Sequence, residues 1–142
     1  MDIVILQGPH RLRKPLDAEA LVGLRRIARA AGRMLCVRAC DSLRDLIASL
    51  RAVRRGVGAF VLLDPGDLAG PMRSDAALRE AIETMHVPYV EVHDSSASVL
   101  ELPLHAQAMP TATIVINGDL AASYRIALGI ALRRLERHAA HT

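Results

Sequence analysis

The chain has 142 residues, 51% of them hydrophobic, and a formal net charge of +3 from 18 basic and 15 acidic side chains. That length favours one domain spanning 1–142, and with one Phe, two Tyr and no Trp its core has to be aliphatic. Lys14 is the only lysine, and Arg25-Arg26, Arg54-Arg55 and Arg133-Arg134 are scattered along the chain, which suits solvated helix faces and not the clustered basic stripe of a nucleic-acid binder.

Met1 to Leu6 is too short and too poor in basic residues for a signal peptide. No apolar run reaches membrane-spanning length, so a cytoplasmic location away from membranes is expected. Ile3–Leu6 is a continuous apolar run, the pattern of a strand buried on both faces. Asp17 can cap a helix whose inner face is Leu21, Leu24, Ile27 and Ala28, with Gly32 ending it. Met34–Val37 reads as a second strand. Asp41-Ser42 then caps a helix with Leu43, Leu46, Ile47, Leu50 and Val53 at helical spacing. Gly56 and Gly58 interrupt the chain before a third strand, Phe60–Leu63. Ser74 or Asp75 opens a helix through Leu78, Ile82 and Met85. Pro88–Val92 and Thr113–Ile116 supply two more strands. A last helix from about Leu120 to Arg137 leaves His138–Thr142 as a frayed tail.

Cys36 and Cys40 are four apart, too far along a strand to bridge. Without a CxxC or a histidine-rich partner they read as buried thiols in a reducing compartment, and no metal or cofactor is expected.

Five short strands alternating with helices imply an α/β fold, a parallel sheet covered on both faces. Ligands of such sheets bind beyond the carboxyl ends of the strands, at the topological switch point. The loops to inspect are therefore Gly8–Leu16, Asp64–Ser74, His93–Pro110 and Asn117–Asp119. Gly8-Pro9-His10-Arg11 is not the Gly/Ser/Thr-rich phosphate loop of a flavodoxin. A phospho-receiver domain would use Asp64, but it also needs an acidic pair, a hydroxyl and a lysine where Gln7-Gly8, His93 and Asn117 stand.

Four segments carry a more specific resemblance. Gln7-Gly8-Pro9-His10 is similar to the Asn-Gly-Pro-Asn that ends the first strand of type II 3-dehydroquinate dehydratases, and Asp64-Pro65-Gly66 to their Asn-Pro-Gly. Ser74 to Ala81 resembles their Thr-Ser-x-Ala-Leu-Arg-Asp-Ala. Val87 to Ser95 resembles their Ile-Pro-x-x-Glu-Val-His-x-Ser. The resemblance implies a flavodoxin-like three-layer sandwich, assembly into homo-trimers or dodecamers, and dehydration of 3-dehydroquinate to 3-dehydroshikimate. The family's base is a lid tyrosine with a lowered pKa. An unperturbed phenol titrates near 10, so a neighbouring arginine has to activate it.

Carried over residue by residue, His93 matches the family histidine, Glu91 the carboxylate that orients it, and Ser95 the hydroxyl near the substrate carboxylate. The departures outnumber the matches. The first loop has no tyrosine, His10 and Asp64 replace two asparagines, and Leu100 and Leu104 fall where arginines are expected. Gly70-Pro71-Met72-Arg73 stands where a histidine is due.

The expected function is accordingly a family member that is not a competent dehydratase and binds a small carboxylate or other anion, or serves as an assembly subunit. The catalytic candidates are His93, Glu91 and His10, and the ligand-binding candidates are Ser95, Asp94, Asp64, Arg11 and Arg13. The alternatives are a slow shikimate-type lyase, or altered chemistry through His93 or His10. By itself each residue has a plainer reading. His93 can be a structural partner of Glu91, His10 an exposed loop residue, Asp64 a turn cap, and Arg11, Arg13 and Lys14 a solvated turn. His105, His138 and His141 read as surface residues without partners.

Overall fold

The computed structural model describes residues 2–11, 16–53 and 59–140, except for the side chains of 138–140. Five strands, β1 (Ile3–Gln7), β2 (Leu35–Ala39), β3 (Phe60–Asp64), β4 (Tyr89–His93) and β5 (Ala112–Val115), form one parallel sheet in the order β2-β1-β3-β4-β5. The helices are α1 (Ala18–Ala30), α2 (Leu43–Val53), α3 (Ala69–Arg73), α4 (Ala76–Met85) and α5 (Leu120–Ala140). The α/β sandwich read from the apolar runs is the observed architecture.

The central strands are apolar on both sides because both faces are covered. Val4, Leu6, Val61 and Leu63 pack with Leu46, Leu50, Leu78 and Ile82 of α2 and α4. Ile3, Ile5, Phe60, Leu62, Val90 and Val92 pack with Leu24, Ala28, Tyr124 and Leu128 of α1 and α5. Each such aliphatic side chain contributes roughly 1.5–3 kcal/mol when fully buried.

The helix caps fall where expected. The Asp17 carboxylate accepts from Ala20 N (2.7 Å), Ser42 Oγ from Asp45 N (3.2 Å), and Asp75 from Leu78 N (2.8 Å). Each satisfies an amide that the first turn leaves without a partner.

Several boundaries and exposures differ from expectation. β2 starts at Leu35, and Met34 is 70% exposed. Cys40 is buried, but Cys36 sits on an edge strand and is only half-buried. Ile27 is 42% exposed, because it lies about 100° around α1 from Ala28 and falls beside the inner stripe. α5 continues through Ala140, past the expected fraying point at His138. The segment Gly70-Pro71-Met72-Arg73 belongs to a short helix, preceded by a 3₁₀ turn at Gly66–Leu68. Pro71 is tolerated in α3 because it stands in the first turn, where a missing N–H costs nothing. Arg13, Lys14, Arg54-Arg55, Gly56, Gly58 and His141 lie outside the described residues.

Candidate functional site

β1 leads to β2 on one side and, after α2, to β3 on the other, so the switch point lies between the carboxyl ends of β1 and β3. Gln7 and Asp64 are register partners there, and Gly8 N donates to Asp64 O (2.8 Å). The two following turns are pressed together. A Cβ on Gly8 would meet the Pro65 carbonyl oxygen at 2.1 Å, and one on Gly66 (φ +55°) the Pro9 carbonyl oxygen at 2.5 Å. Only glycine fits either place. Asp67 N donates to Pro9 O (2.8 Å), and Arg11 N to Asp67 Oδ2 (2.7 Å).

This interlock holds His10 over the end of β3. His10 Nε2 lies 3.0 and 2.9 Å from the two carboxylate oxygens of Asp64, and the Tyr124 hydroxyl of α5 donates to Asp64 Oδ2 at 2.7 Å. The expectation of an exposed His10 is therefore wrong: its side chain is 4% exposed and that of Asp64 1%. Asp64 is no simple turn cap, because its carboxylate spans two elements instead of closing its own turn. The hydrogen bond His10 makes to Asp64 raises the His10 pKa, outweighing burial, and the charges of Asp64, Asp94 and Asp67 add to the rise. Burial, then the Asp64 charge and hydrogen bond, push the Tyr124 phenol well above its ordinary value. Gln7 works against that rise, although its buried amide nitrogen makes no hydrogen bond of normal geometry.

A second histidine–carboxylate pair ends β4. Glu91 and His93 point to the same side, as their spacing requires, with His93 Nε2 2.8 Å from Glu91 Oε1. His93 Nδ1 lies 2.9 Å from Ser98 Oγ, and Leu100 N donates to Glu91 Oε1 (3.2 Å). Both ring nitrogens of His93 are thus engaged and the ring is fully enclosed. Ser98 Oγ is also 3.0 Å from Ser95 O, and its single proton can serve only one of these two neighbours.

Between these pairs lies a cleft of about 240 Å³, lined by His10, Asp67, Asp94, Ser95 and Ser98 with small residues of the Gly66–Gly70 segment. His93 and Glu91 do not line it. Ser95 Oγ accepts from Ala97 N (3.2 Å), so the hydroxyl expected near a ligand carboxylate serves as a local cap. Leu100 is buried in the core and Leu104 packs against it; neither presents a charge. Arg11 is exposed beside the cleft, and Arg13 is not among the described residues. His105 is 79% exposed but does have a partner, Glu83, at 3.0 Å.

Sequence reading missed two participants. Tyr124 lies far from the first loop in sequence, yet α5 packs on β3 and β4 and brings its hydroxyl to Asp64. Arg73 donates from Nε to Val99 O (3.1 Å) and from its guanidinium to Ala97 O, tying α3 to the loop after β4. No motif marks Arg73, but an imidazole and a carboxylate at the two positions where the resemblance implied asparagines were a usable signal for the His10–Asp64 pair.

The family model described as "Dehydroquinase class II" matches residues 18–132. This chain belongs to that family. A 3-dehydroquinate dehydratase of Xanthomonas euvesicatoria pv. vesicatoria is 34% identical over 113 residues, covering 79% of this chain and 74% of its own. The 3-dehydroquinate dehydratase 1 of Pseudomonas putida is also 34% identical over 113 residues, covering 79% and 73%. Among solved structures, the type II dehydroquinase of Propionibacterium acnes shares the fold with a TM-score of 0.69 at 24% identity, covering 93% of this chain and 98% of its own. A 3-dehydroquinate dehydratase-like protein from Bifidobacterium longum aligns with a TM-score of 0.67 at 22% identity, covering 95% and 98%. No described helix is long and apolar enough to cross a membrane.

Proposed function

We propose that this chain is a class II dehydroquinase relative that does not dehydrate 3-dehydroquinate, and that its switch-point cleft binds a small polar ligand. The observation that carries this reading concerns the tyrosines. The chain has only two, Tyr89 and Tyr124. Tyr89 is buried and donates to Ala108 O (3.1 Å), and Tyr124 is buried and donates to Asp64. Burial raises the pKa of both phenols. A phenolate base needs the opposite shift. The undescribed first-loop residues, Leu12, Arg13, Lys14 and Pro15, contain no tyrosine to substitute.

Asp64 supports the same reading. An enolate is stabilised by donors placed where its charge develops, and a carboxylate at that position offers none. Asp67 and Asp94 also line the cleft and are felt electrostatically by His10. With no arginine at 100 or 104 to grip a carboxylate through two hydrogen bonds, we place affinity for di- and tricarboxylates no tighter than about millimolar.

The test is formation of the conjugated enone from 3-dehydroquinate, with the Xanthomonas relative assayed alongside. Loss of a general base alone typically costs about 10²–10⁴-fold. The reading expects no turnover above the blank, and a rate within about a hundredfold of the relative's would sink it. In a parallel titration, citrate or 3-dehydroquinate is expected to shift amide resonances at 66–70 and 94–98. Shifts confined to another region would show that the cleft is not the ligand site.

A further inference from the structure

Two buried histidine–carboxylate pairs lie near the switch point, and only one of them borders the cleft. Asp64 accepts the Tyr124 hydroxyl proton, and as a carboxylate it has no proton to offer. His10 Nε2, within 3.0 Å of both its oxygens, must therefore be the donor. That fixes the tautomer: the proton on Nε2 is committed, which leaves Nδ1 as the ring nitrogen free to exchange a proton, on a residue that lines the cleft. Among the described residues Nδ1 has no hydrogen-bond partner. His93 is the reverse case, with both nitrogens engaged and no place in the lining.

We infer that His10 is the proton-exchanging residue of this cleft, acting through Nδ1 on a hydroxyl or carbonyl oxygen of a bound ligand, with Asp64 and Tyr124 as its positioning residues. This rests on the reading of the cleft as the ligand site. In the donating direction the Nδ1–H bond breaks, the proton passes to the ligand oxygen, and neutral imidazole remains with its Nε2–H on Asp64. In the accepting direction the ligand O–H breaks and Nδ1 takes the proton. No electrons are gained or lost and no co-reactant is required. An oriented imidazole is the side chain best suited to exchange a proton near neutrality.

The groups facing His10 are Asp64 from β3, Asp67 from the 3₁₀ turn after it and Asp94 from the loop after β4, with Tyr124 of α5 acting through Asp64. All three carboxylates favour the imidazolium, and the residue passes from acid to base as pH rises. A buried carboxylate that both orients the ring and balances its charge is the arrangement that acid–base histidines use.

The experiment is modification of the folded chain by diethyl pyrocarbonate, which attacks only a deprotonated imidazole nitrogen, with sites and rates read by mass spectrometry across a pH series. His10 is expected to react with a single midpoint above that of a histidine in an unstructured peptide, while His93 stays unmodified. Asp64→Asn is expected to lower the midpoint and raise the rate at neutral pH severalfold. Tyr124→Phe removes a donor that competes for the carboxylate, and is expected to leave the midpoint at or above the wild-type value. If Asp64→Asn does not fold, the wild-type and Tyr124→Phe profiles decide. An unmodified His10 under conditions that modify His105 overturns the inference, as does an Asp64→Asn profile superimposable on wild type or a lowered Tyr124→Phe midpoint. The same preparation is offered 3-dehydroquinate. Turnover that survives His10 modification contradicts both the proposed function and this inference. Turnover that His10 modification abolishes contradicts only the former.

Discussion

The carboxyl ends of β3 and β4 carry two histidine–carboxylate pairs of similar length and burial, with opposite relations to the cleft. The Glu91–His93 pair keeps the residue types of the dehydroquinase pattern, and its ring is closed off by Glu91 and Ser98. The His10–Asp64 pair stands where the sequence resemblance implied two asparagines, and its histidine borders the cleft. In this chain, then, the His93 ring is held by the β4 end and the loop after it, while the His10 ring borders the cleft. Similarity in sequence marks the position of the site and does not by itself name the group that acts there.

The largest expected effect comes from emptying the altered pair. Asp64→Ala removes the acceptor of both His10 and Tyr124 and leaves two buried donors unsatisfied, so it should cost about 3–5 kcal/mol. Urea denaturation reads this directly. A cost under about 1 kcal/mol would mean that the two donors find water instead, and the cluster would lose its claim to be a built unit.

A double-mutant cycle sharpens the contrast further. His10→Asn with Asp64→Asn restores the amides the resemblance places there, whereas each single change leaves a buried imidazole or carboxylate with a poorer partner. The double variant should be more stable than the sum of the singles predicts, by about 0.5–3 kcal/mol. Additive singles would show that the two residues are neighbours and not a pair.

A smaller effect appears in the dependence of stability on pH. The pKa of His10 is raised in the folded chain. Its contribution is therefore fully present below the unfolded value near 6.5, and is lost as pH rises through the folded value. Denaturation of the wild type and of His10→Asn between about pH 6 and 9 should show their difference in stability shrinking as pH increases. A difference that grows with pH would mean that folding favours the neutral imidazole, opposite to the raised pKa.

The fold was readable because it rests on short-range pattern: apolar runs of strand length, helical spacing at Leu46, Leu50 and Val53, and cap residues at Asp17, Ser42 and Asp75. The Glu91–His93 contact was readable for the same reason, since two residues apart on one strand means the same side. His10 was misjudged because its burial depends on a turn 54 residues away, where the glycine contacts at Gly8 and Gly66 draw the two loops together. Tyr124 was missed because helix position alone does not say which strand end the helix covers. The short helix at Ala69–Arg73 was hidden by Gly70 and Pro71, which read as breakers unless the helix is known to begin at Ala69.

The contrast between the two pairs is tested most directly by the ¹⁵N imidazole spectrum of the wild-type chain followed across pH. The expected result is one histidine, His10, in which Nε2 stays protonated throughout while Nδ1 alone gains and loses its proton, beside a His93 whose Nε2 proton exchanges slowly with solvent because Glu91 and Ser98 enclose its ring. A His10 that gives up its Nε2 proton, or a His93 whose ring proton exchanges as fast as that of a free imidazole, would contradict the account.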